Sequence, residues 1–232
     1  MRDIVRKKLK DYLIQQKDTA SPGFTPDNES ERDTVSRVDS LRNISRQVEA
    51  CRKCSLGQYR LNPCFGNGNP GASLMFVGEG PGYDEDHSGI VFIGRAGKLL
   101  DKLLLEETGY KRSDVYIANI VKCHPMKDPA NPHSKGNDRP PLPEETAECI
   151  GYLVEQIGVI KPSLIVTLGS PSTKTMLSTE TGITKLRGQV FEKEYGDLRV
   201  RIMPTYHPAY ILRNGSKTPE IREDFRKIRE LL

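Results

Sequence analysis

Three short apolar runs, SLMFVG at 73–78, VYIANIV at 115–121 and SLIVTLG at 163–169, are rich in β-branched residues and lack polar alternation. That pattern predicts strands buried on both faces of a parallel sheet. Helical spacing separates them. Leu99, Leu103 and Leu104 share one face of a segment ending near Gly109, and Pro143 with Glu144 and Glu145 opens a second helix. Before the first strand, Ile4, Val5, Leu9, Leu13 and Ile14 recur at helical spacing, as do Val38, Leu41, Ile44 and Val48. Between these helices, residues 18–36 hold few apolar positions and two prolines, which reads as a linker. Late in the chain, residues 189–208 read as two strands joined by a turn at 195–198, and a charged helix begins near Pro219. The resulting βαβαβα order with a late hairpin predicts a doubly wound α/β sandwich.

The chain has 232 residues, 36% of them hydrophobic, which is enough for a packed core and excludes fibrous or wholly disordered classes. No stretch approaches the ~18 apolar residues of a membrane span. The amino terminus lacks the apolar run of a signal peptide, so a cytoplasmic location is expected. There, five cysteines point to metal or redox chemistry before disulfides. A net charge of +4 permits a polyanionic partner without requiring one.

In open α/β sheets ligands bind beyond the carboxyl ends of the strands, so the segments after each strand are the ones to examine. They read GEGPGYDEDHSG, KCHP, GSPS and YHPAYILRN. VGEGPG has GxGxG rather than GxGxxG spacing, and Pro81 removes a backbone donor that a pyrophosphate would need, which disfavours a dinucleotide site. Cys51 and Cys54 form a C-x-x-C pair that needs two further ligands, for which Cys64, Cys123 and Cys149 compete. By composition, zinc and an iron–sulfur cluster are both allowed. His207 follows a strand, Asn119 ends one inside an apolar run, and Phe92 alone would be assigned to the core.

Together VGEGPGYDEDHSGIVFIGRAGKLLDKLL, YIANIVKCHP, ITKLRGQVF and MPTYHPAYILR closely resemble, in order, the family 4 uracil-DNA glycosylases, the iron–sulfur members of that superfamily. The match covers about residues 45–232. It implies a three-layer α/β/α sandwich around a central, mostly parallel four-stranded sheet, with residues 1–44 as an N-terminal helix and polar linker before the catalytic domain. It also implies one 4Fe-4S cluster on Cys51, Cys54, Cys123 and Cys149, with Cys64 outside the ligand set. The expected activity is hydrolysis of the N-glycosidic bond of uracil in single- or double-stranded DNA, by a monomer. Glu79, Asn119 and His207 are the expected catalytic residues, and Gly80, Phe92, Asn119 and His207 line the expected base pocket. Tyr210, Ile211 and Leu212 are candidate wedges beside Arg213. Ser170, Lys122, Lys185, Arg187 and Arg213 are candidate phosphate contacts.

Three departures stand out. Gly80 takes the place of a water-activating Asp found in some superfamily members. Gly82 replaces an aromatic that excludes thymine in some relatives, a task left to Glu79 or Asp84. The loop between Cys123 and Cys149 is longer than usual and carries His133; the basic motif that accompanies covalent sugar trapping in one relative is absent, so trapping is not expected. The alternative function is a noncatalytic iron–sulfur module that binds DNA or a polymerase.

Overall fold

The computed structural model describes residues 29–195 and 198–232, with side chains from Asp33 onward. The helix expected over residues 4–14 lies outside the described residues, as do Gly196 and Asp197 of the expected turn. The chain divides into Met1–Ser36 and a compact unit Arg37–Leu232. Helix α1, Glu29–Ala50, begins earlier than the apolar spacing predicts. Its first residues are polar, but Glu and Arg are good helix formers and need no apolar partner to extend a helix that is anchored further on. Leu41, Ile44 and Val48 supply the anchor, so the expected boundary at residue 44/45 falls inside a helix that is already part of the core.

After the short helix α2 (Leu56–Tyr59) come strands β1 (Asn67–Gly68) and β2 (Leu74–Gly78), then α3 (Tyr83–Ser88) and α4 (Arg95–Leu103). A π-helical turn, Leu104–Thr108, extends α4 and ends at Gly109, whose φ of 80° suits a residue without a Cβ. Strand β3 (Tyr116–Asn119), helix α5 (Pro143–Ile160), strand β4 (Leu164–Leu168) and helices α6 (Ser170–Leu177) and α7 (Ile183–Leu186) follow. Strands β5 (Phe191–Tyr195) and β6 (Leu198–Thr205) lead to α8 (Pro208–Arg213) and α9 (Thr218–Leu231).

The sheet order is β1-β3-β2-β4-β6-β5. The inner four strands are mutually parallel, as expected, while β1 and β5 pair antiparallel at the edges, so the sheet is six-stranded rather than four-stranded. Alternation along β2 divides the interior. Met75 and Val77 pack with Leu41, Val48, Leu153 and Ile157 on one face, and Leu74 and Phe76 with Leu100, Leu103, Ile221 and Phe225 on the other. Helices on both faces of one sheet make the expected three layers. Phe76 and Phe225 stack with ring centroids 5.8 Å apart, and truncating such a buried aromatic costs about 3–5 kcal/mol. Because β2 is flanked by β3 on one side and β4 on the other, the chain leaves the sheet centre in opposite directions, and a crevice opens beyond the carboxyl ends of these strands.

Candidate active site

That crevice is a cavity of about 800 Å³. Glu79 and Gly80 reach it from the end of β2, Asn119 from β3, Gly169 and Ser170 from β4, and Tyr206 and His207 from β6. Phe92, from the loop between α3 and α4, forms a wall. Glu79, Phe92, Asn119 and His207 therefore share one cavity although Glu79 and His207 lie 128 positions apart (207 − 79).

Two oxygens in this group are buried without any partner: Glu79 Oε1 and Asn119 Oδ1. Buried polar atoms are rarely left unsatisfied, so such a pair marks a place for ligand atoms. Burial raises the Glu79 carboxyl above its usual range. Behind Asn119, the fully buried Lys122 donates to its backbone carbonyl (2.8 Å) and to Gln156 Oε1 (2.6 Å). A side chain at Gly78 would come within 2.6 Å of the Phe92 ring and overlap Asn119 Oδ1, so only glycine lets strand and ring meet here.

Phe92 has a φ of 51°, a strained backbone for a non-glycine residue. What holds it was not foreseen from sequence. Arg112 Nη1 donates to the Phe92 carbonyl (3.1 Å) and to Asp101 (3.1 Å), while Nη2 reaches Asn67 Oδ1 (3.2 Å) and the Val91 carbonyl. Glu85 accepts from the amides of Ile93 and Gly94, both at 3.0 Å. These partners lie 8 to 45 positions apart and follow no local pattern, so no signal for them was present in the sequence beyond the nearness of Glu85 to the glycine-rich loop.

The Phe92 ring lies 5.6 Å from the His207 ring. His207 caps α8, its Nδ1 accepting from the Ala209 amide at 3.0 Å. Burial, with Arg213 nearby, pulls its pKa down to about 4. The ring is therefore neutral near pH 7, and because Nδ1 is the acceptor, the proton sits on Nε2.

Residues 65–232 match the family model described as the uracil DNA glycosylase superfamily. A type-4 uracil-DNA glycosylase of Sulfurisphaera tokodaii is 43% identical over 198 residues, covering 84% of this chain and 86% of its own. Those of Saccharolobus solfataricus and Archaeoglobus fulgidus are 40% and 39% identical, each covering 84% of this chain and 88% and 94% of their own. The chain belongs to the type-4 uracil-DNA glycosylases.

In this type-4 chain the four cysteines implied by the resemblance gather against one core. Burial pushes the Cys123 thiol up to about 12, against the pull of Arg60, and Cys149 and Cys54 raise it further. Cys149 is likewise raised, first by burial and then by Cys54 and Cys51. Two donors point at the sulfurs: Arg60 Nη1 at Cys123 Sγ (3.0 Å) and the Lys122 amide at Cys149 Sγ (3.3 Å). Donors aimed at sulfur, with a buried ammonium behind, suit thiolates neutralised by bound iron, so the donor set fits the implied cluster. Among the described residues no three His, Cys, Asp or Glu side chains group as a single metal ion would need. Cys64 is engaged elsewhere, its Sγ donating to the Glu85 carbonyl at 3.2 Å.

The expected DNA contacts divide. Ser170, Tyr210 and Arg213 line the cavity, Lys185 is exposed, and Leu212 is 42% exposed. Ile211 is not a wedge, because it is buried in the core under α8. Lys122 is sealed in the interior and cannot reach a phosphate. Arg187 is also committed: it forms a paired contact with the buried Asp224 (2.8 and 3.0 Å) and bonds the Glu220 carbonyl. His133 bonds His87 at 3.0 Å and is not among the residues that line the cavity.

Proposed function

We propose that this chain removes uracil from DNA by hydrolysing the N-glycosidic bond, leaving an abasic site for base excision repair. The observation that carries the reading is that Asn119 Oδ1 and Glu79 Oε1, both buried and unpartnered, belong to one cavity with the neutral His207 donor and the Phe92 ring. A uracil inside a duplex is out of reach, so the nucleotide is extruded into the cavity, where Phe92 stacks on the base and the Asn119 amide pairs with N3–H and O4.

Bond cleavage builds negative charge on the base and positive charge on the sugar. The Nε2–H of His207 faces the first, stabilising the developing charge on O2 without giving up its proton. The Glu79 carboxylate serves the second and orients the attacking water. A Cβ at Gly80 would meet Val121 Cγ2 at 2.8 Å, so this site is too tight for an added acid unless Val121 yields, and the role falls to Glu79. Leu212 fills the gap left in the stack, and Ser170, Lys185 and Arg213 meet phosphates.

Cys51, Cys54, Cys123 and Cys149 hold a 4Fe-4S cluster in this reading. When bound, the group would supply a covalent tie among the segment between α1 and α2, helix α5 and the segment after β3, with the redox capacity common to such clusters. No helix among the described residues is long and apolar enough to cross a membrane. Action in the cytoplasm on uracil-containing DNA completes the proposal.

The test incubates the purified full-length protein with an oligonucleotide carrying one uracil, followed by alkali. Cleavage at uracil, and none at thymine or cytosine controls, is expected. Binding without any alkali-labile site would favour the noncatalytic module instead.

A further inference from the structure

The segment between Met126 and Arg139, longer than the resemblance leads one to expect, is built rather than loose. The Asn137 side chain bonds both the amide and the carbonyl of Asp128 at 2.8 Å, and Met126 pairs with Asp138 in an isolated bridge. Asp138 in turn bonds the buried His124 at 2.7 Å, which fastens the segment to the end of β3. From this base His133 and Lys135 extend to α3. The ring of Tyr83, which lines the cavity, overlaps that of His87 with centroids 4.1 Å apart at 30°. His133 meets His87 edge-on at 5.2 Å, and Lys135 Nζ sits 5.7 Å from the Tyr83 ring centre. His87, His133 and Lys135 are all exposed.

The bonding within this row fixes its orientation. His87 Nδ1 lies 2.8 Å from the Tyr83 carbonyl, which can only accept, so Nδ1 is the donor there, and Nε2 shares a hydrogen bond of 3.0 Å with His133 Nδ1. Three rings and an ammonium group thus run outward from the cavity wall, Tyr83 and His87 on α3 and His133 and Lys135 on the anchored segment. Aromatic faces paired with a cation are what a nucleic-acid strand engages through base stacking and phosphate attraction. In a duplex each base already stacks on its neighbours, so the exposed imidazoles of His87 and His133, at the outer end of the row, serve unpaired bases.

We propose that Tyr83, His87, His133 and Lys135 form a platform for single-stranded DNA, on which bases next to the extruded nucleotide stack while Lys135 meets their phosphates. This rests on the glycosylase reading above for the strand's path into the cavity. It assigns the inserted segment a preference for unpaired over paired substrate.

The test measures binding of the full-length protein to oligothymidylate and to the same length of duplex, neither containing uracil, so the result does not depend on excision. His133→Ala is expected to weaken single-strand binding about fivefold or more while duplex affinity changes less than about twofold. Lys135→Ala is expected to reduce the single-strand salt slope by about 0.7. Equal losses on both substrates, or no loss with either variant, would overturn the platform. A wild-type protein that leaves uracil untouched would sink the glycosylase reading alone, since the single-strand measurement would still stand.

Discussion

Lys122 Nζ donates to the backbone carbonyl of Asn119 across 2.8 Å, so the residue offering an unpartnered oxygen to the cavity is held from behind by a cation sealed from water. Gln156 completes the brace, accepting from Lys122 while its amide bonds the Phe65 carbonyl (3.0 Å) and Tyr116 (3.1 Å). Lys122→Met leaves two buried acceptors without a donor, each costing about 1–3 kcal/mol. A fall in unfolding free energy of about 2–6 kcal/mol is expected from urea titration. An unchanged midpoint and slope would mean that the brace contributes nothing.

The close approach of Gly78 to Phe92 and Asn119 predicts that Gly78→Ala displaces the base-reading groups while leaving the sheet intact. Misplacement by about 1 Å costs on the order of 100-fold in rate. Single-turnover excision should fall by that order while far-ultraviolet circular dichroism stays the same. In the same assay, Asn119→Asp should narrow the preference for uracil over cytosine, because a carboxyl presents a different bonding pattern to N3 and the exocyclic atom.

His207→Ala should slow excision about 100-fold to 1000-fold, while uncleavable DNA still binds. Equal losses of affinity and rate would mark a binding residue. Its pKa also has a sign to test. The unfolded chain takes up this proton near 6.5, whereas burial delays uptake in the folded protein to about 4. The stabilising contribution is therefore complete above pH 6.5 and is lost as pH falls from there through about 4. Acid should destabilise the wild type more than His207→Ala over that window, measured as melting temperature against pH. A second acid effect belongs to Glu79: burial raises its carboxyl, so excision should fall on acidification at a pH above the ordinary 4.5. The limb should vanish in Glu79→Gln, whatever its residual rate.

Purified protein is expected to be brown. Serine in place of Cys51, Cys54, Cys123 or Cys149 should remove the colour and the iron, measured by absorption and metal analysis. Cys64→Ser should keep both, since that thiol bonds the Glu85 carbonyl. Loss of iron from Cys64→Ser alone would show that the ligand set is wrong.

A chain beginning at Glu29 keeps all of α1 and should excise uracil at the full-length rate, because every cavity and thiol residue lies at or beyond Cys51. Removing residues through Ile44 should instead yield insoluble protein, since Leu41 and Ile44 are 7% and 6% exposed in the core. Soluble, active protein from that shorter chain would return the boundary to residue 44/45.

How much of this was legible follows physical lines. Three of the four parallel strands were readable because burial on both faces leaves an unbroken apolar run, β6, interrupted by Arg199 and Arg201, only as one arm of a hairpin, and α5 because Pro143 with two glutamates marks a helix start. Strand β1 was not: it has two residues, Asn67 and Gly68, and exists only through pairing with β3. Ile211 was mistaken for a wedge because a six-residue helix gives too little period to tell its buried side from its exposed one. Lys122 and Arg187 were read as free cations because their partners, Gln156 and Asp224, lie 34 and 37 positions away. Glu79, Phe92, Asn119 and His207 emerged as a set through resemblance, whereas Arg112, which restrains Phe92, belonged to no motif.

The hydrogen bond from the Ala209 amide to His207 Nδ1 closes the first turn of α8 and also decides which imidazole nitrogen bears hydrogen. Secondary structure and chemical polarity at this point are therefore one degree of freedom. Fraying of α8 would release Nδ1 to compete for the proton and turn a fixed donor into a mixture of donor and acceptor. A substitution that only loosens residues 208–213, touching neither base nor sugar, would then read out as a catalytic defect with no change in the cavity's shape.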